Sequence, residues 1–367
     1  MIEGLRKGLL RPPGIRALAR ERPRRRCLRL CTSAQGEAHG GGQAEHRLAQ
    51  AQRAVTSTVK CSGRLLAIGD VHGDADATRQ ALRIADVAEF DSDGTPHWTG
   101  GNAHVVQVGD ILDRGGAELE ALFLLLRLRE QAEAAGGAVH LLLGNHELLN
   151  ASGDFRYVTD SAFEDSLHYA GGPWGGDEWT EKLRARLRLF SPGGEIAQHM
   201  STFRVLLKVN DTIFAHGGFS PEHADAGLQE LNEAATSWLL DDVKVMDSER
   251  RQSVGQALKL AAGGPTAVVW DRQYGSLARQ PPIDRLRICS KLQKSLAKVG
   301  ANRLVIGHTP QPAGCSAACS SKVWRVDVGM SRGIFGKSPQ VLEIGQDGTT
   351  KVLAPSKPMA REAHSVL

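Results

Sequence analysis

The chain has 367 residues, 41% of them hydrophobic and 23% charged, the proportions of a folded globular protein rather than a disordered one. No run approaches the roughly 18 consecutive apolar residues that a membrane span needs. The formal net charge of +4 is unevenly placed: residues 1–60 hold 13 Lys+Arg against 4 Asp+Glu, the remainder 32 against 37, so the body of the chain is not a basic nucleic-acid-binding surface.

Residues 1–60 contain RPRRRCLRL at 22–30 and HGGG at 39–42. They lack the apolar stretch of about 7 to 15 residues that a secretory signal requires, and their arginine-rich, acid-poor composition fits an organelle transit peptide. A basic disordered leader without an address is the plainer alternative. Low serine content points to the mitochondrion rather than the plastid. A folded body is expected over 61–354, with an insertion at 150–200, and a flexible tail over 355–367.

The body alternates strands and helices. RLLAIGD precedes a helical stretch from Ala75 to about Glu89. AHVVQVGD precedes the apolar helix ELEALFLLLRLREQAEAA, and AVHLLLGNHE supplies a third strand. This βαβ rhythm predicts helices packed on a sheet. Between Leu149 and Met200 the pattern gives way to stretches dense in Gly and aromatic residues around one amphipathic piece, EKLRARLRLF, as in a cap that shapes a site. TFRVLLKV and DTIFAHGG then predict a hairpin turning at Asn210–Asp211. TAVVWDR, an amphipathic helix over Asp284–Val299 and NRLVIGHTP follow, and KVWRVDVGMS and QVLEIGQDG read as closing strands.

Polar residues recur where these apolar runs end: Asp70 and His72, then Asp110 with Asp113 and Arg114, then Asn145 and His146, then His216, then His308. One such cluster is an ordinary turn, since Gly and Asp are common where φ turns positive. Five, each beside a glycine, predict a shared site at the carboxyl ends of strands. The donors are carboxylate, amide and imidazole with no thiol, a set suited to a pair of Mn, Fe or Zn ions rather than to a thiolate site or a calcium loop. The six cysteines form no C-x-x-C pair, so reduced structural thiols are expected, with Cys315 and Cys319 as a conceivable redox pair.

In that order, GDVHG, GDILDRG, GNHE, HGG and GHT resemble the metallophosphoesterase superfamily and its phosphoprotein phosphatase branch. GHTPQ, VVWDR and VDVGMS, with no aromatic before DRG, resemble the bacterial-type Shewanella-like phosphatases of plants and algae. The likeness spans most of residues 62–345. It implies an α/β fold, a calcineurin-like β-sandwich flanked by helices with a mixed irregular and helical insertion. It also implies two divalent metal ions, most readily manganese, one on Asp70, His72 and Asp110 and the other on Asp110, Asn145, His216 and His308.

The implied reaction is hydrolysis of a phosphate monoester on a phosphoprotein or phosphopeptide by hydroxide bridging the two metals, without a covalent phosphoenzyme. His146 is implied as general acid, oriented by Asp113, and Arg114, Asn145 and Arg272 as phosphate binders, with Arg156 a rival to Arg272. Glu147 is expected to anchor its turn rather than meet substrate. The SAPNY-like segment of eukaryotic-type members is missing. Because this branch includes plastid members, the resemblance moves the expected compartment to the chloroplast, with the mitochondrion as alternative. Two other readings stand: a diadenosine tetraphosphatase-like hydrolase, which would favour GNHD over the GNHE found here, and a non-catalytic pseudophosphatase scaffold, which would have lost one of these residues.

Overall fold

A computed structural model describes residues 56–355. The transit-peptide expectation therefore lies outside the described residues, except that β1 (Thr58–Val59) falls within the segment read as leader and pairs in parallel with a strand of the body. The elements run β2 (Leu65–Ile68), α1 (Ala75–Ile84), β3 (Ala88–Phe90), β4 (Pro96–Trp98), β5 (His104–Gln107), α2 (Glu118–Ala134), β6 (Ala138–Leu141) and α3 (Asn145–Ala151). Then come α4 (Asp160–Tyr169), α5 (Glu178–Phe190), α6 (Glu195–Met200), β7 (Leu206–Val209), β8 (Thr212–Ala215), α7 (Pro221–Ala226), α8 (Leu228–Leu239) and α9 (Ser248–Ala262). The chain closes with α10 (Pro282–Lys298), β9 (Arg303–Ile306), β10 (Ser316–Ala318), β11 (Val323–Arg325), β12 (Val341–Ile344) and β13 (Thr350–Leu353).

Two sheets form the centre, one ordered β1-β7-β8-β9-β11-β10 and the other β13-β12-β2-β5-β6. Side chains alternate between faces along a strand, and the alternation explains the layers. Leu65, Ala67, Val106, Leu342 and Ile344 of one sheet and Leu207, Val209, Phe214 and Val305 of the other belong to one buried cluster, the filling of a β-sandwich. Their neighbours Leu66, Ile68, Val105, Ile213, Leu304 and Ile306 belong to a second cluster that also takes in Leu122, Leu125 and Leu128 of α2, where the helices cover the sandwich. β2, β5 and β6 run parallel, as do β8 and β9, so each group gathers its carboxyl ends at one edge.

Two expectations are corrected, the extent of the first helix and the pairing of the cysteines. The helix from Ala75 stops at Ile84, not near Glu89: Asp86 adopts a left-handed φ of 55°, and Ala88–Phe90 then pairs antiparallel with β4. The insertion is mostly helical, holding α4, α5 and α6 after α3, with Thr159 and Asp177 side chains capping α4 and α5; the shortest of these helices are too brief to print a period in sequence. α8 and α9 went unassigned from sequence. Finally, the disulfide joins Cys289 of α10 to Cys319, while Cys315 is a free thiol. Cys315 and Cys319 flank the extended strand β10, which at about 3.3 Å per residue holds them roughly 13 Å apart, beyond the reach of a disulfide. The hairpin at Asn210–Asp211 forms as expected.

Candidate metal centre

The strand ends bring the predicted residues to one place. Asp70 follows β2, Asp110 follows β5, Asn145 opens α3 just beyond β6, His216 follows β8 and His308 follows β9. All are buried, as are His72 and His146. The backbone accommodates this crowding by unusual turns: His72, Asp110, Asp113, Arg114 and His308 all have positive φ, from 39° to 68°. Such conformations are costly for residues with a Cβ and concentrate at functional sites. The glycines beside them permit close approach. A Cβ on Gly307 would lie 2.1 Å from Oδ1 of Asp70, and one on Gly144 would lie 2.2 Å from Oδ1 of Asp110.

Asp110 is the focus. His72, Asp110 and His146 form one group of donors lying within 4.8 Å of one another, and Asp110, His216 and His308 form another. Nε2 of His216 lies 3.2 Å from Oδ2 of Asp110 and 3.1 Å from Oδ1 of Asn145. Nε2 of His72 lies 3.6 Å from Oδ2 of Asp110 and 4.0 Å from Oδ2 of Asp70.

The outer nitrogens fix the tautomers. Nδ1 of His216 faces the Val108 carbonyl at 2.8 Å and Nδ1 of His72 faces that of Leu112 at 3.1 Å. A carbonyl can only accept, so in the neutral rings each Nδ1 carries the proton and each Nε2 presents its lone pair to Asp110, the arrangement by which metal-binding histidines are oriented. Nε2 of His308 is buried with no hydrogen-bond partner. Nε2 of His72, His216 and His308, Oδ2 of Asp110 and Oδ1 of Asn145 thus turn lone pairs toward one another, an arrangement that a divalent cation satisfies.

The charge balance points the same way. Burial opposes ionisation of Asp110, but His216, His146 and His72 in their charged forms would hold its pKa well below the ordinary range, and a cation among the neutral rings would supply the same positive charge. Asp70 is pushed well above that range by burial and by the carboxylates of Asp327 and Asp110. Asp327 itself is raised to about 6, first by burial and then by Asp110. Three carboxylates this close need positive charge among them. Asp327 was not singled out from sequence, although it follows a strand and precedes Val328–Gly329 in the same manner as the others; its Oδ1 accepts from the Gly329 N–H at 2.9 Å.

Beside the focus, Nδ1 of His146 meets Oδ2 of Asp113 at 2.6 Å, and its Nε2 faces Asp110. Burial disfavours the charged imidazole, yet Asp110 and Asp113 outweigh it and raise the His146 pKa. Glu147 does not reach the cleft: its carboxylate accepts from the backbone N–H of Gly144, Asp110, Ile111 and Leu112 at 2.7 to 3.1 Å, tying the Asp110 turn to α3.

The Arg114 side chain is exposed, its guanidinium 4.5 Å from the centre of the Tyr157 ring, which in turn lies 5.0 Å from the His146 ring. Arg272, also exposed, donates to the His308 carbonyl at 3.0 Å, which sets it at the rim of the same centre. Arg156 is held in a two-pronged pair with Asp154 at 2.9 and 2.6 Å. A cavity of about 370 Å³ adjoins Asn145, walled by Leu148, Leu149, Trp238, Leu258 and Trp270, with Ser152 the wall residue from the 150–200 insertion.

Residues 63–325 match the calcineurin-like phosphoesterase family. The chain is 34% identical over 329 residues to Shewanella-like protein phosphatase 2 of Arabidopsis thaliana, covering 82% of this chain and 79% of that one. It is 29% identical to Shewanella-like protein phosphatase 1 of Plasmodium berghei, over 74% of this chain and 68% of the relative. Among solved structures, the cold-active protein-tyrosine phosphatase of a psychrophilic Shewanella superposes with a TM-score of 0.61 at 28% identity, covering 81% and 82% of the two chains.

Proposed function

Because the chain belongs to the calcineurin-like phosphoesterase family, we propose that it is a metal-dependent phosphoprotein phosphatase. The observation that carries this reading is the focus at Asp110, where two donor groups share one carboxylate and one histidine of each, His72 and His216, is turned by a backbone carbonyl to present its Nε2 lone pair inward. In our reading Asp70, His72 and Asp110 would hold one divalent ion and Asp110, Asn145, His216 and His308 the other. A donor set of nitrogen and oxygen without thiolate suits manganese, which we propose over iron or zinc.

Such a pair of ions supplies Lewis acidity to a phosphoryl group and acidifies coordinated water. The chain's own residues do the rest. Arg114, braced on Tyr157, and Arg272 offer permanently charged planar donors to phosphate oxygens. Asn145 adds an amide, and His146, whose carboxylate neighbours favour the charged imidazole, delivers a proton from Nε2 to the departing oxygen while Asp113 holds Nδ1. The apolar cavity beside Asn145 receives the residue that carries the phosphate or its neighbour.

The arginine-rich leader supports an organellar address, and the plastid rests on the resemblance alone. A fluorescent fusion of residues 1–60 tests it. The activity is tested by metal analysis of the purified chain together with phosphoserine, phosphothreonine and phosphotyrosine peptides; no turnover on any of them with manganese present would refute the phosphatase reading.

A further inference from the structure

The insertion reaches the centre from behind, through one charged side chain. Arg186 of α5 is fully buried. Its Nε and Nη2 donate to Oδ1 of Asn150 at 3.0 and 2.7 Å. Its Nη1 donates to Glu118, which is also fully buried, and to Oγ of Ser166 at 3.1 Å. Its guanidinium lies 4.2 Å from the centre of the Phe190 ring, and Nη2 is 3.8 Å from Oδ1 of Asp113. Asn150 in turn donates Nδ2 to Oδ1 of Asp113 and to the His146 carbonyl, both at 2.9 Å.

The direction of this chain of contacts is forced. An Asn amide can turn over and exchange its oxygen for its nitrogen. With two N–H groups of Arg186 aimed at one end, only the oxygen fits there, so the NH₂ must face Asp113. That donor occupies Oδ1 of Asp113 and leaves Oδ2 to His146. An amide turned the other way would set oxygen against carboxylate and drive Asp113 off the imidazole.

Resting on the phosphatase reading, we propose that Arg186 is a positioning residue for proton delivery, acting through Asn150 and Asp113 to aim His146, and that the insertion is the element that supplies it. A solvent-facing salt bridge would contribute little, but a buried fork bonded at every arm fixes geometry.

The test uses the leaving group. A phosphoserine peptide departs as an alkoxide and needs the proton; 2,4-dinitrophenyl phosphate departs as a stable phenolate and does not. Arg186→Met and, separately, Asn150→Ala, which spares the Arg186–Glu118 pair, should lower kcat on the phosphoserine peptide on the order of 10²-fold with KM unchanged, the scale of a displaced catalytic group. On dinitrophenyl phosphate both should stay within about 3-fold of the parent chain. Arg186→Met should add nothing further to His146→Asn.

Equal losses on both substrates, or additivity with His146→Asn, would overturn the proposal. If Arg186→Met does not fold, Asn150→Ala decides by the same two readouts. If His146→Asn shows no leaving-group dependence, the acid reading falls and the relay with it; if His146→Asn shows it and Asn150→Ala does not, the relay alone falls.

Discussion

Nδ1 of His146 and Oδ2 of Asp113 lie 2.6 Å apart, both residues buried, one at the start of α3 and the other in the turn that also holds Asp110. The pair fixes which imidazole nitrogen faces the cleft. His146→Asn removes the proton donor but leaves the proposed ligands in place. Turnover on phosphopeptides is expected to fall about 10²- to 10⁴-fold while metal content stays as in the parent. Steady-state kinetics beside elemental analysis checks both halves, and loss of metal in this variant would count against the division of roles.

Asp110→Asn is expected to behave differently. Its carboxylate is common to both donor groups, and an amide offers one acceptor oxygen and no charge. Metal binding should weaken, and activity should fall on the order of 10³-fold, the loss of several kcal/mol of charge stabilisation, whatever the leaving group. Dialysis against a chelator should reproduce the loss in the parent chain and manganese should reverse it. A fully active Asp110→Asn protein would remove the shared ligand from the scheme.

Gly307→Ala probes the packing behind Asp70. The added methyl would sit 2.1 Å from Oδ1 of Asp70, a buried carboxylate whose two oxygens both accept from the His308 N–H, so Asp70 must move. Metal affinity measured by calorimetric titration should drop about 10- to 100-fold, as when the support of a ligand is disturbed. Unchanged affinity would show that Asp70 can shift without penalty.

His140 gives a pH dependence remote from the metal centre. Burial, with Arg204 and His104 nearby, depresses its pKa to about 3. The unfolded chain therefore takes up this proton first, near the ordinary value of about 6.5. Stability is present in full above that pH and is lost as pH falls toward 3, amounting to about 2 kcal/mol by pH 5. Thermal unfolding followed from pH 7 to 5 should show a steep decline that His140→Gln makes shallower; an identical slope in the variant would contradict the assignment.

The sequence disclosed the donors because each follows a short apolar run directly, and strand ends stay local in sequence. Asp327 carried the same mark, Val326 before it and Gly329 two residues on, and could have been found. Arg186 carried a subtler one: it falls in phase with Ala185, Leu189 and Phe190 on the buried face of its helix, where a charge needs a partner. Which partners they are depends on segments 36 and 68 residues away, Asn150 and Glu118, and no local pattern encodes that. The Cys289–Cys319 link was hidden for the same reason, since pairing follows distance in space and Cys315 only looked nearer.

The donors come from both halves of the sandwich, Asp70, Asp110 and Asn145 from the edge of one sheet and His216 and His308 from the edge of the other. Ions seated among them would rivet the two layers together. Occupancy would then tighten the entire sandwich, and mass action would set how far the melting point climbs with the free concentration of the divalent ion.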